Sequence, residues 1–329
     1  MVDRSASSVC FGFDFQSNAA IVLMIENIED MATIRMEGFE DIEIGLNDGC
    51  FLLAQAKSVV NGSTDFSNVL RNLKDAIVSL SDANKNCPSV KQFIYITNSA
   101  NPLTVASEKH IFYGLPAYRN YDSLPPKSKR KVDDIFLKLE CSFDKSKLHI
   151  QTLPFETDDD RERYKYVINS IRDFISKIGN ISINPYDLHK IWKDDIFKSG
   201  TRKDKNIKLT KNDIIWPIIV LTTENVSYDE DIDESEMEEI SRSYKDVINI
   251  CAEKYEFVTK VLCSYNGYKE GEKNERIRLF IENKYQEYLY LLNDVPMNNE
   301  VKKSLTKAIL YKILVKRIQI EKIKEATNL

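Results

Sequence analysis

A tight turn between two short apolar runs constrains this chain more than any other feature. Asn47-Asp48-Gly49 separates Asp41–Leu46 from Phe51–Lys57. A turn of that composition joins neighbouring strands into a hairpin, because Asn, Asp and Gly tolerate the backbone angles of a tight reversal. A third run, Ala32–Glu37, precedes them, so a three-stranded meander is expected. Before it, Phe15, Ala19, Val22, Leu23 and Ile25 fall near helical spacing and predict a first helix over Phe15–Ile28 with Gln16 near its start. After the hairpin, Asp65 or Ser67 can cap a helix whose Val69, Leu73, Ile77 and Leu80 form one apolar stripe. Phe93-Ile94-Tyr95-Ile96, within Lys91–Thr97, then reads as a buried strand. The expected order is helix, three strands, helix, strand.

Further along, residues 98–127 carry no clear period, Lys129–Leu139 reads as helix and His149–Leu153 as strand. Beyond Pro154 the pattern turns helical. Helices are expected from Asp158–Asp160 through Ile178 and from Asn184-Pro185 through Phe197, while Ile214–Leu221 fits either a strand or a short buried segment. Asp229–Glu239 holds eight acids in eleven positions and reads as a helix start or solvated loop rather than a metal site. Asn299–Ala326 reads as one amphipathic basic helix, with eight Lys and Arg between Lys302 and Lys324 against Glu321 alone. Such a helix packs with a solvated cationic face, or makes an oligomer, partner or nucleic-acid contact. The division expected is an α/β domain over residues 1–155 and a mostly helical domain over 156–329 that mediates oligomerisation or partner binding.

Composition removes several classes of function. The 46 Lys and Arg nearly balance 51 Asp and Glu, so bulk charge does not drive the chain onto nucleic acid, although a local basic groove remains open. Six cysteines without a Cys-x-x-Cys pair and three dispersed histidines signal neither a disulfide framework nor a zinc cage, so any metal would be held by oxygen. Asp14 and Gln16 interrupt the first apolar stretch, which argues against a signal peptide or a membrane span and for a cytoplasmic protein. Phosphate-loop, dinucleotide, zinc-protease and nucleophile-elbow motifs are all missing.

What remains is a polar cluster carried on the meander. Side chains two apart on a strand share a face, so Asp41 and Glu43 are expected to point together, as are Gln55 and Lys57, and the hairpin can set the pairs side by side. Phosphodiester hydrolysis uses a divalent ion held by hard oxygen ligands, such as a carboxylate and an amide oxygen, with an ammonium beside it.

Asp41, a hairpin and then Gln55-Ala56-Lys57, after a helix with Gln16 and before a helix and strand, resembles the PD-(D/E)XK nucleases in their Gln-x-Lys variant. Gly12-Phe13-Asp14-Phe15-Gln16, Glu37-x-x-Glu40-Asp41-Ile42, Gln55-x-Lys57 and Ile96-Thr97-Asn98-Ser99 also resemble the N-terminal endonuclease domain of anti-phage effectors in CBASS, Lamassu and HerA-linked systems. The resemblance covers residues 10–155 and implies a restriction-endonuclease-like core, a mixed sheet flanked by helices. It implies Asp41 and Gln55 as ligands of Mg²⁺ (or Mn²⁺), Lys57 as the catalytic lysine, and Glu37 and Gln16 as supporting residues. Gln55 stands where the family usually has an acid, and a neutral amide holds Mg²⁺ more weakly, a deficit that Glu37 or Glu43 could offset. The activity implied is cleavage of double-stranded DNA. Lys127, Lys129, Arg130 and Lys131, the densest cationic patch of the N-terminal half, read either as a phosphate clamp for DNA or as a solvated loop entering a helix. An SMC-like ATPase, or alternatively a HerA-type ATPase, is the implied partner, and homo-oligomerisation accompanies the active state. The competing expectation is a catalytically inactive nuclease-fold scaffold or DNA-binding subunit. The Thr97-Asn98-Ser99 turn is expected to be a strand end rather than part of the chemistry.

Overall fold

The Asn47–Gly49 reversal forms as its composition requires. Gly49 takes φ +80°, where a side chain would be strained, and the Cys50 N–H donates to Asp48 Oδ1 at 2.9 Å while the Leu46 N–H donates to the Cys50 carbonyl at 2.9 Å. The hairpin belongs to a computed structural model that describes residues 7–59, 66, 68–87, 89–114, 117–156, 159–179, 181–204, 206–224, 226, 254–293 and 298–329. Asp65 and Ser67, expected as helix caps, and the acidic run Asp229–Glu239 lie outside the described residues.

Helix α1 (Ser7–Glu26) leads into β1 (Met31–Met36), β2 (Ile42–Leu46) and β3 (Phe51–Lys57), an antiparallel meander. Helix α2 (Val69–Asn86) then carries the chain to β4 (Val90–Thr97), which pairs parallel with β3. Strand β5 (Ala117–Asn120), helix α3 (Pro126–Leu139) and strand β6 (Leu148–Thr152) follow, with β6 parallel to β4 and β5 antiparallel to β6 at the edge. Helices α4 (Asp160–Ile178) and α5 (Pro185–Thr201) precede a two-residue strand β7 (Leu209–Thr210) that pairs with β1. The sheet is therefore mixed and seven-stranded, in the order β5-β6-β4-β3-β2-β1-β7, with helices packed against it.

Two packing layers explain the alternation. Leu53, Phe93, Tyr95, Leu148 and Ile150 face one way and bury against Leu73, Ala76, Ile77 and Leu80 of α2 and Val132 and Ile135 of α3. On α1, Ile21–Met24 and Phe15 are all buried, so this helix is apolar around its circumference. Its length and mean hydropathy of 1.4 would suit a membrane crossing, but here it is a core helix in contact with β1, β2, β3 and α5.

The structure departs from or refines three expectations. The compact unit holding the sheet comprises Met1–Phe174 and Pro185–Lys211, so it does not end at residue 155. The reason is that α5 packs on both α1 and β1, and β7 completes the sheet edge. Ile214–Leu221, expected as a strand or a short buried segment, is buried and helical: it forms the apolar middle of helix α6 (Lys211–Glu224), with Pro217 inside it. The basic segment is two helices, α9 (Asn299–Val315) and α10 (Arg317–Thr327), separated at Lys316.

The second compact unit, Ile175–Asn184 with Asn212–Leu329, is helical in its described residues. Besides most of α6 and the pair α9 and α10, it holds α7 (Lys254–Gly267) and α8 (Arg276–Lys284). Tyr265 and Tyr268 pack edge-on against Phe280, and Phe257 against Tyr288. The cationic face of α9 is partly consumed within this unit. Lys312 is buried and donates to the Glu224 carbonyl at 2.8 Å, and Lys307 pairs with Glu282 at 2.6 Å.

Candidate active site

The β2–β3 register sets the geometry. Ile42 pairs with Ala54, which brings Asp41, just before β2, opposite Gln55. The Asp41 carboxylate accepts from Gln55 Nε2 at 2.6 Å and from the Ala56 backbone N–H at 2.9 Å, both on Oδ2. Gln16 adds a side-chain hydrogen bond from α1, and the Lys57 ammonium lies within electrostatic reach. Asp41, Gln55, Lys57 and Gln16 are thus brought together. Burial raises the Asp41 pKa from its ordinary value, against the opposing pull of Lys57 and of the three hydrogen bonds.

Gln55 is buried, and while its Nε2 serves Asp41, its Oε1 has no hydrogen-bond partner; the Oε1 of Gln16 is likewise buried and unmatched. Two amide oxygens therefore sit near one carboxylate with acceptor capacity to spare, an unmet demand for a donor or a cation. These donors are all oxygen, which suits Mg²⁺ or Mn²⁺ rather than a metal held by imidazole or thiolate. Among the described residues no group of three or more His, Cys, Asp or Glu side chains is arranged to hold a metal. A cation here would rest on Asp41, a neighbouring acid and neutral amides.

That neighbouring acid is Glu40, to which the sequence pattern assigned no role. Its carboxylate accepts from Ser79 Oγ of α2 at 2.8 and 3.0 Å and is nearly buried. Burial pushes its pKa up to about 7, offset by the Ser79 hydrogen bond, raised further by the Asp41 charge and lowered by Lys57. The adjacent Glu40-Asp41 doublet was the available signal.

Glu37 and Glu43 do not join the group. Glu37 takes φ 55°, is exposed, and its side chain lies near Gly200 of α5, while its backbone N–H donates to the Asp41 carbonyl at 3.1 Å. Glu43 folds back under the β1–β2 turn, where it accepts from the Phe39 N–H at 3.1 Å and pairs with Lys208. A Cβ on Gly38 would lie 2.3 Å from Glu43 Oε2, so the missing side chain makes room for that carboxylate. Period-two alternation therefore held for Asp41 and Gln55 but did not carry Glu43 to the site.

The same sheet face continues in polar residues. Tyr95 pairs with Gln55, and Thr97 with both Lys57 and Thr152. The Tyr95 hydroxyl is buried beside the Thr97 side chain without a well-formed hydrogen bond, and Thr152 Oγ1 is buried without a partner. At the end of β4, Asn98 ties two chain segments together: Oδ1 accepts from the Val59 N–H at 2.8 Å, and Nδ2 donates to the Val59 and Phe155 carbonyls at 2.7 and 2.8 Å. It holds the chain two residues beyond Lys57.

Asp14, from the same segment as Gln16, faces another way. It binds Lys193 of α5 at 2.5 Å, accepts from the Tyr164 hydroxyl of α4 at 2.7 Å and lies 3.7 Å from Arg163. Asn18 joins it and contacts His189 Nε2 at 2.7 Å. This network fastens α4 and α5 to α1.

The basic residues Lys127, Lys129, Arg130 and Lys131 fall within the first turns of α3, which starts at Pro126, three residues before the expected Lys129. Cations are unfavourable at a helix N-terminus. Glu108 compensates by accepting from the Lys127 N–H (3.1 Å), the Ser128 N–H (2.7 Å) and Ser128 Oγ (2.8 Å). Lys127 and Arg130 are exposed, while Lys129 stands over the Tyr121 ring at 5.5 Å. No family model, no curated protein and no solved structure matches this chain.

Proposed function

We propose that the chain is a divalent-metal-dependent endonuclease of the PD-(D/E)XK type acting on double-stranded DNA, and an effector subunit of an anti-phage defence complex. The observation that carries this reading is the meeting of the Asp41 carboxylate, the Gln55 amide and the Lys57 ammonium at the mouth of one hairpin, with Gln16 beside them. Asp41, Gln55 and, from the adjoining position, Glu40 would hold Mg²⁺, which supplies charge neutralisation at the scissile phosphate and a more acidic attacking water. Lys57 would stabilise negative charge developing on the phosphate oxygens. Gln16 would orient Asp41, and the exposed Lys127 and Arg130 would contact the DNA backbone without reading sequence. An unrestrained nuclease would damage its own cell, so activity is gated by homo-oligomerisation or by a partner ATPase, of SMC-like type first and HerA type second.

Supercoiled plasmid incubated with the protein and Mg²⁺ or Mn²⁺, alone and with the proteins encoded beside it, is expected to be nicked or linearised. Asp41→Ala and Lys57→Ala should each abolish cleavage while the fold persists. Cleavage that survives both substitutions would remove the assigned site.

One observation favours a second reading, an inactive scaffold or DNA-binding subunit. The donor set contains an amide at the second ligand position, and that amide already hydrogen-bonds the carboxylate. Absence of cleavage under every partner and metal condition, with DNA binding retained, would select it.

A further inference from the structure

Ser79 departs from the way hydroxyls are used in the other helices. Ser17, Ser170, Thr222, Thr223, Thr306 and Thr327 each donate to the carbonyl four residues back in their own helix, at 2.7–3.0 Å. That bond is the usual one for Ser or Thr inside a helix, because the preceding turn brings the carbonyl within reach. Ser79, in the middle of α2, donates instead to the Glu40 carboxylate, 2.8 Å from Oε1 and 3.0 Å from Oε2. The two residues are 39 positions apart, so the contact depends on α2 lying beside the β1–β2 turn. Ser79 is half-buried, on one helix face with Ala76 three positions before it and Ala83 four after, both buried.

The near-equality of the two distances restrains the carboxylate. A single hydroxyl proton is shared between both oxygens, and turning the group about its last bond would lengthen one contact. The Asp41 backbone N–H donates to the same carboxylate from the other side. Glu40, only 7% exposed, is thus held between a helix and the peptide of its own neighbour, within electrostatic reach of Asp41 and Lys57.

Two adjacent carboxylates are therefore fixed by two different elements. Asp41 is held from β3, by Gln55 Nε2 and the Ala56 N–H, and Glu40 from α2, by Ser79. A side chain that must be oriented at the moment of binding loses rotamer freedom then, whereas one already held by a partner does not. We propose that Ser79 is a positioning residue for the cation site: it fixes the Glu40 carboxylate beside Asp41, and so sets how tightly a divalent ion is held, without touching the ion. This rests on the reading above that Asp41, Gln55 and Glu40 hold such an ion.

Calorimetric titration of the full chain with Mn²⁺ tests it, with circular dichroism to verify the fold. Ser79→Ala should weaken binding by roughly tenfold to a hundredfold at an unchanged stoichiometry, the range found when a partner of a metal-binding side chain is removed. Alanine is the best helix former, so α2 is expected to persist in this variant. Ser79→Thr, which keeps the hydroxyl, should bind as the unaltered chain does. Glu40→Ala should also weaken binding, and adding Ser79→Ala to it should cost nothing further, because no carboxylate is left to orient. A role in folding alone would not remove the Ser79 effect in that background. Unchanged affinity in folded Ser79→Ala, unchanged affinity in Glu40→Ala, or a full Ser79→Ala loss in the Glu40→Ala background would overturn the positioning role while leaving Asp41 and Gln55 as ligands. Failure of the unaltered chain to bind Mn²⁺ would overturn the cation site itself, and the positioning role with it.

Discussion

Replacing Asn98 with alanine removes three hydrogen bonds from one buried side chain, those with the Val59 N–H, the Val59 carbonyl and the Phe155 carbonyl. At about 1 kcal/mol net for each bond the loss is about 3 kcal/mol, rising to about 5 kcal/mol if water cannot reach the orphaned Val59 N–H. Because the chain forms two compact units, the probe must report on the sheet alone. Trp192 is buried in the sheet unit and Trp216 in the other, so Trp192 fluorescence in a Trp216→Phe background isolates the relevant transition. With a urea m-value of about 2–3 kcal/mol/M, Asn98→Ala should lower the midpoint by about 1–2 M without changing m. Asn98→Asp keeps an acceptor for the Val59 N–H but turns a donor into a second acceptor facing two carbonyls. It should be at least as damaging at neutral pH and recover partly in acid, where the protonated carboxyl regains one donor. A midpoint shift under roughly 0.3 M for Asn98→Ala, at constant m, would refute the view that this residue clamps the strand ends next to Lys57.

Other expectations follow from single groups. Burial, with Lys193 beside it, lowers the His189 pKa from 6.5 to about 4, against the pull of Asp14. The unfolded chain therefore binds more protons than the folded one between those values, and acidification from pH 6.5 to 4 should cost about 3 kcal/mol of stability, a slope that His189→Gln removes in a pH series of urea titrations. Tyr95→Phe deletes a buried hydroxyl that makes at most a poorly formed bond with Thr97, so the melting temperature should hold or rise; a loss above about 2 kcal/mol would show that this bond is strong. The double substitution Lys127→Ala with Arg130→Ala should flatten the slope of log affinity for duplex DNA against log salt by about 2, roughly one per lost phosphate contact, and an unchanged slope would place the DNA elsewhere.

What could be read from the residues and what could not divides along physical lines. Gly49 and its neighbours determined a reversal, and that reversal brought Asp41 across from Gln55, because turn geometry fixes register. Alternation then located the face that Gln55 and Lys57 share with Leu53. It failed one turn earlier. Glu37 adopts a left-handed backbone angle without being glycine, and Glu43 is drawn under Gly38 and toward Lys208, which lies 165 residues further on. Neither event leaves a local pattern. Glu40 was visible only as an acid next to Asp41, and its contact with Ser79 depends on how α2 lies across the sheet. The same limit explains the domain boundary. Most of α4 and all of α5 look like the helices that follow, and long-range contacts assign them to the sheet unit: the Asp14 network, the packing of α5 on α1 and β1, and the pairing of β7 with β1. Helix α6 was ambiguous because an apolar run buried on all sides shows no period.

The central claim is that an acid, an amide and an amine at the β2–β3 hairpin form a site for a hard divalent cation. Titration of the full chain with Mn²⁺, followed by the electron paramagnetic resonance of the free ion, addresses it directly. One ion should bind per chain; Asp41→Ala should abolish that binding, and Gln55→Glu, which restores a carboxylate at the second position, should tighten it by roughly tenfold. Binding that is indifferent to both substitutions in folded protein would contradict the account.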